Sequence, residues 1–275
     1  MYIISITVIL LNIWSFAYNR EDLSLDNEQR PQNERLNSVK CQKQQNEIME
    51  KNNYKTIMIK RVLMNSDTPS AKEIDSSMNN AGVTYNNIDV ANWPGFNYNP
   101  IVKFRIAYSK SELYIQYTVK ERDLKAVFGK DSESQPYKDS CCEFFVVPEP
   151  GKGYYNLELN CIGKGTFAYR CGDEKVRFTD EVLSKIRRYS SLGSEPFGIV
   201  KGDEKDLKEW NLIVAIPYNV FCKAQMNPVS GTTIKANFYK CGDEMPQKHY
   251  FSWNPILTPK PNFHTPDYFG LLIFE

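Results

Sequence analysis

Histidine is almost missing: the 275 residues hold two, His249 and His264. With so few imidazoles and no Cys-x-x-Cys pair, most zinc sites are excluded. A surplus of charge is missing too, since 34 Lys and Arg stand against 33 Asp and Glu. No basic stripe can then displace counterions from a phosphate backbone, and no Gly-x-x-x-x-Gly-Lys loop cradles a nucleotide, so nucleic acid is not an expected partner. There is no Gly-x-Ser-x-Gly elbow, no clustered acidic motif of the sandwich-glycosidase kind and no EF-hand loop. After Ala17 no apolar run is long enough to span a bilayer. Seven cysteines, at 41, 141, 142, 161, 171, 222 and 241, form an odd and irregular set. They are no disulfide framework; Cys141, Cys161 and Cys241 read as small buried hydrophobes, and a single Cys161–Cys171 bridge stays open.

What is present divides the chain in three. Ile3 to Phe16 is an apolar run of signal-peptide length, and Ser15-Phe16-Ala17 fits the cleavage pattern. Residues 1–17 are therefore expected to direct export to the periplasm, cell surface or medium, with an uncleaved anchor as the alternative because no Lys or Arg precedes the run. Residues 18–53, rich in Asn, Gln, Glu, Lys and Arg, bury too little apolar area to repay ordering and read as a polar linker, with a short helix at 39–51 as the alternative. Residues 54–275 are expected to form one monomeric domain, and 41% hydrophobic with 13% aromatic content supplies its core.

Within that domain the apolar period is two. Val102, Phe104 and Ile106 alternate with Lys103 and Arg105, and Leu113, Ile115 and Tyr117 follow after a Ser-Lys-Ser-Glu turn, which predicts a hairpin. Further strands are predicted at 54–64, 86–93, 139–147, 154–161, 210–217 and 233–239. In the 154–161 run Tyr155, Leu157, Leu159 and Cys161 share one face. Asn156, Glu158 and Asn160 line the other, as a solvated surface or as the floor of a polar cleft. One helix is predicted over 177–189, with Thr179 as its cap. Short strands, Gly/Pro turns and little helix predict an all-β, antiparallel, jelly-roll-like β-sandwich with one or two short helices.

Between 237 and 275 prolines at 246, 255, 259, 261 and 266 remove backbone donors and fix φ, so this stretch is read as an ordered surface loop between two strands. Trp253 and Phe263 on such a loop are candidate ligand-facing rings.

Asp139-Ser140-Cys141-Cys142-Glu143-Phe144-Phe145, the Tyr155–Asn160 strand, Trp210–Pro217, Asn237–Asp243, Ser252-Trp253-Asn254-Pro255 and Phe269-Gly270 together resemble family 9 carbohydrate-binding modules and their DOMON-like sandwich relatives. The resemblance implies a sugar held between two aromatic walls, an acid and amides bonding its hydroxyls, and calcium as a structural ion. Carried over by position, Tyr137 and Phe263 become the walls, standing where better-known binders place Trp. Glu143 becomes the acid, Asn156 or Glu158 the polar floor, and Tyr239 a central-strand contact. The chemistry agrees, because a pyranose shows a C–H face to rings and a rim of hydroxyls to polar forks; Trp253 and Lys138 add to both kinds. The expected partner is an oligo- or polysaccharide, with no cofactor beyond calcium, for which Asp131, Asp139, Asp243 and Asp267 offer turn carboxylates. Two other functions stay open. A glycoside hydrolase would use Glu143 and Glu158 as its carboxylate pair, and a haem module would use Met245, His249 and His264.

Overall fold

The computed structural model describes residues 54–96, 98–132 and 135–275, so the segments assigned above to export and linker lie outside the described residues. Fifteen strands follow in order: β1 (Thr56–Arg61), β2 (Asn86–Asn87), β3 (Ile101–Tyr108), β4 (Glu112–Glu121), β5 (Leu124–Ala126), β6 (Cys141–Val147), β7 (Tyr154–Asn160), β8 (Gly165–Cys171), β9 (Glu174–Arg177), β10 (Arg187–Ser190), β11 (Phe197–Val200), β12 (Lys208–Pro217), β13 (Thr233–Gly242), β14 (His249–Ser252) and β15 (Gly270–Phe274). The expected antiparallel sandwich is what they build. One sheet runs β15-β13-β6-β7-β8-β9, with β14 also on β13; the other runs β10-β12-β4-β3, with β2 on β3. Strand β1 stitches them together: Thr56–Ile59 pair parallel with β15, and Lys60–Arg61 pair parallel with β3. Parallel pairing here departs from a purely antiparallel expectation and lets one strand close both sheets.

The period-two pattern places the core. Phe104 of β3 stacks on Phe238 of β13, with centroids 3.7 Å apart, across the gap between the sheets. Tyr155, Phe167 and Phe221 continue the layer, and each such ring is worth roughly 1.5–3 kcal/mol of burial. A polar chain also runs through the interior. Trp210 Nε1 donates to Glu121 at 2.7 Å, the carboxylate faces Lys240 Nζ at 3.0 Å, and Nζ meets His249 Nε2 at 2.9 Å. Burial alone would lower the Lys240 ammonium, and the facing Glu121 carboxylate reverses that. Burial, then Lys240, pushes His249 well below the usual imidazole range, so it is the neutral acceptor of that bond.

The sequence reading misses the helix Ala71–Asn80, because two apolar residues alone, Ile74 and Met78, mark its buried stripe. Ser70 caps it by accepting from Glu73 N at 3.3 Å. The helix expected over 177–189 is confined to Asp180–Lys185: Arg177 ends β9, and Arg187–Ser190 pair with β12. The strand expected over 86–93 shrinks to Asn86–Asn87 plus an isolated bridge from Val90 to Ser252. All six described cysteines are free; Cys161 is buried and Cys171 exposed, so no bridge joins them. No described helix is long and apolar enough to cross a membrane.

Candidate functional site

The outer face of the β13-β6-β7 sheet carries the site. Inward positions take the hydrophobic residues of these strands, and the alternation turns Tyr239, Glu143 and Glu158 outward. Register sets them side by side, since Tyr239 pairs with Glu143 and Glu143 with Glu158. The next row holds Cys241, Cys141 and Asn160.

The proline-braced segment after β14 folds over part of this face and creates a second small core. Trp93, Phe145, Tyr154, Tyr239, Ile256 and Phe269 are buried there, with Phe263 half-buried against them. Two asparagines moor the segment to β13. Asn237 Oδ1 accepts from Asn254 N at 2.8 Å while Asn237 Nδ2 donates to Asn254 O at 3.1 Å; Asn254 Nδ2 in turn donates to Tyr268 O at 2.8 Å. Where the segment stops covering the sheet, a cleft of about 390 Å³ opens, lined by Tyr137, Glu143, Glu158, Arg170, Lys175, Arg177, Cys241, Asp243, Tyr250 and residues 261–264.

Phe263 forms one wall. Its ring lies nearly parallel to Tyr239, at 4.1 Å between centroids and 9° between planes, and Tyr239 Oη donates to Phe263 O at 3.2 Å. Tyr137 sits in the turn Pro136–Lys138, where its carbonyl accepts from Asp243 N at 2.8 Å. Burial pushes the Glu143 carboxyl well above the usual range, with Cys241 and Glu158 adding to it; the Cys241 thiol donates to its Oε1 at 3.0 Å. Glu158 is raised too, again by burial, against the opposing pull of Asn156 and of the nearby Arg170, Arg177 and Lys175. The floor is thus a pair of adjacent acids that share a tendency to stay protonated, and it can both donate and accept hydrogen bonds. His264, its Nδ1 3.0 Å from Tyr154 Oη, is depressed to about 4 by burial and by Arg170 and Lys175, so it is neutral above that pH.

Of the residues singled out in the sequence, Tyr137, Glu143, Glu158 and Phe263 line this cleft. Tyr239, expected as a central-strand contact, is buried beneath as the backing of Phe263 and does not line the cleft. Asn156 is buried and donates to Glu158 Oε1 at 2.8 Å, which orients the acid. Lys138 lies beyond the lining and pairs with Glu244 at 2.7 Å. Trp253 is the correction. It continues the alternation of β14, so its ring turns inward with Phe251 and packs edge-on to Phe104 and Phe238. Asn160 clamps Phe128 O and Asp139 rather than facing the cleft.

The sequence reading misses Arg170, Lys175 and Arg177. They stand on the β8–β9 hairpin, where Thr166, Ala168 and Arg170 alternate with Phe167 and Tyr169; that alternation and the Gly172-Asp173 turn were the available signal.

Asp131 is held by both guanidinium nitrogens of Arg188 at 2.7 and 2.9 Å, and Asp139 accepts from Phe128 N and Asn160. Among the described residues the set of three ligand-type side chains that does converge is Cys141, Glu143 and Cys241, all buried. Met245 accepts from Ser140 at 3.8 Å and His249 is enclosed by Lys240 and the Gln247 carbonyl, so neither offers a free axial ligand.

A stiff two-sheet scaffold with an open cleft of rings, acids and cations on one outer face is the build of a ligand-binding domain. The profile of carbohydrate-binding family 9 matches residues 72–274. A candidate carbohydrate-binding protein from Bacteroides uniformis is 36% identical over 81% of this chain and 100% of its own, with a TM-score of 0.76. A family 9 module from Caldicellulosiruptor kristjanssonii, solved with glucose, is 15% identical over 80% of this chain and 96% of its own, with a TM-score of 0.51. A family 9 module from the same organism, solved with cellotriose, is 14% identical over 80% of this chain and 94% of its own, with a TM-score of 0.51. At that identity the likeness is one of fold. Among curated proteins none matches the chain. The chain belongs to carbohydrate-binding family 9.

Proposed function

We propose that the chain is an exported, non-catalytic carbohydrate-binding protein whose cleft takes one sugar ring or chain end against Phe263, with Tyr137 at the opposite side. The observation that carries this reading is the Phe263–Tyr239 stack beside Glu143 and Glu158 in one cleft. A flat ring fixed from behind presents its free face to C–H groups, while the adjacent acids and the Asn156-oriented Glu158 reach hydroxyls. Solved relatives of the same fold hold glucose and cellotriose. Export rests on the apolar run Ile3–Phe16 ahead of Ala17.

Affinity electrophoresis and calorimetry of the folded protein against neutral and acidic glycans test the reading. Retention by at least one glycan, lost in Phe263→Ala, is the expected result; no retention by any would overturn it. A hydrolase would place its carboxylate pair where Glu143 and Glu158 meet on neighbouring strands. The same glycans, incubated with the protein and assayed for new reducing ends, separate the two, since a binding protein releases none.

A further inference from the structure

Resting on the reading of the cleft as a carbohydrate site, we infer that its ligand is an anionic saccharide, one carrying a ring carboxylate or a sulfate ester, and that Arg170, Lys175 and Arg177 receive the charge. The three cations converge from β8 and β9: Lys175 pairs with Arg170 across the hairpin, and Arg177 with Ala168. All three line the cleft beside Phe263.

Among the described arginines that are not exposed, Arg105, Arg122, Arg187 and Arg188 each meet a carboxylate and Arg170 does not. Arg187 meets Glu112 through two nitrogens at 2.7 and 2.8 Å, Arg188 meets Asp131 in the same way, and Arg105 meets Asp75 at 2.7 Å. Arg170, Lys175 and Arg177 form no ion pair with any carboxylate among the described residues. Arg177 donates to the Ser132 carbonyl at 2.9 Å, and the Nε of Arg170 is buried without an acceptor. A planar guanidinium with no carboxylate partner keeps N–H donors for an oxyanion.

The acids of the cleft do not cancel this field. Glu143 and Glu158 are directly opposed on neighbouring strands and burial raises both carboxyls, so one negative charge on the pair is favoured over two. With Asp243, at most two negative charges then face three positive ones. A neutral sugar would leave the cations of the β8–β9 lip without an anionic partner, whereas a uronate or sulfate supplies the missing oxygens. The arrangement divides the work: Phe263 takes the apolar face, the floor acids take hydroxyls, and the hairpin takes the charge.

The test is calorimetry on the full chain with matched ligands. Oligogalacturonate is compared with its methyl ester, and a sulfated galactan oligosaccharide with its desulfated form. At least one charged member should bind tenfold or more tightly than its neutral partner, with the ratio shrinking as salt rises from about 0.05 to 0.5 M; which pair shows it identifies carboxylate or sulfate. In Lys175→Gln, an exposed change, and in Arg170→Gln the ratio should fall toward one with the thermal transition retained. Equal or weaker binding of both charged members overturns this inference and leaves the carbohydrate reading standing. Absence of binding by all four ligands and by neutral glucans, with the protein folded, removes both.

Discussion

Glu143→Gln should make the domain more stable at neutral and alkaline pH while weakening its hold on a sugar. Glu143 is 3% exposed on the floor of the cleft, directly across from Glu158, and burial raises its carboxyl well above the usual range. In the unfolded chain the same group titrates near about 4.3. Between those two values the folded state binds a proton that the unfolded state has released, so stability falls as pH rises through the window. The slope is up to about 1.4 kcal/mol per pH unit for one proton. For a domain of this size, 1 kcal/mol moves the melting temperature by roughly 2–4 °C. Wild type should therefore lose up to about 3–6 °C per pH unit above about pH 4.5, until the raised value is passed. Glutamine has the same shape, keeps an oxygen for the Cys241 thiol and carries no charge, so its profile should be flatter and cross above wild type by pH 8. Thermal melts of both proteins from pH 4 to 9 check it. Parallel profiles, or a variant less stable than wild type at pH 8, would refute the argument that Glu143 holds its proton in the folded state.

Phe263→Ala removes the ring stacked on Tyr239 and should weaken glycan binding by about 10-fold or more, since ring contacts of this kind are worth about 0.5–1.5 kcal/mol beyond the area they bury; calorimetry reads it. Asn237→Ala leaves the Asn254 N–H without its acceptor and should cost about 2–4 kcal/mol, seen as a shift in the denaturant midpoint, together with a loss of binding as the Phe263 segment loosens. Gly270→Ala should prevent folding or cut its yield, because a Cβ there would stand 2.5 Å from the Trp253 ring and 2.7 Å from the Lys55 carbonyl; circular dichroism and solubility show it. Of the described thiols, Cys171 and Cys222 should react quickly with an alkylating reagent in the native protein. Cys141, Cys142, Cys161 and Cys241, buried and with raised thiols, should react only on unfolding, as peptide mass mapping would record.

Strands with one clean apolar face were legible because burial of that face is what fixes their register; the hairpin of β3 and β4 and the pair β6 and β7 are of this kind. The helix Ala71–Asn80 was not, since its inner stripe is two residues wide and much of its attachment is polar, with Arg105 reaching Asp75 and Asn79. Tyr137, Glu143, Glu158 and Phe263 come together at the cleft although up to 126 positions separate them in the sequence, Tyr137 from Phe263. Trp253 misled because it neighbours prolines, and prolines suggest a loop tip. The bond from Trp253 N to Phe238 O at 2.8 Å instead continues the pairing of β14 by one residue, and counting in twos from Phe251 gives the inward direction. Arg170, Lys175 and Arg177 escaped because charged residues on a short hairpin look the same in sequence whether they meet solvent or a ligand.

The contact between the Trp253 ring and Gly270 has a wider meaning for signatures of this kind. The Trp253 ring fits only where its neighbour has no side chain, so the two residues act as lock and keyhole of the scaffold. Neither residue lines the cleft, so a sequence filter keyed on that couple would select for the scaffold and say nothing of the ligand.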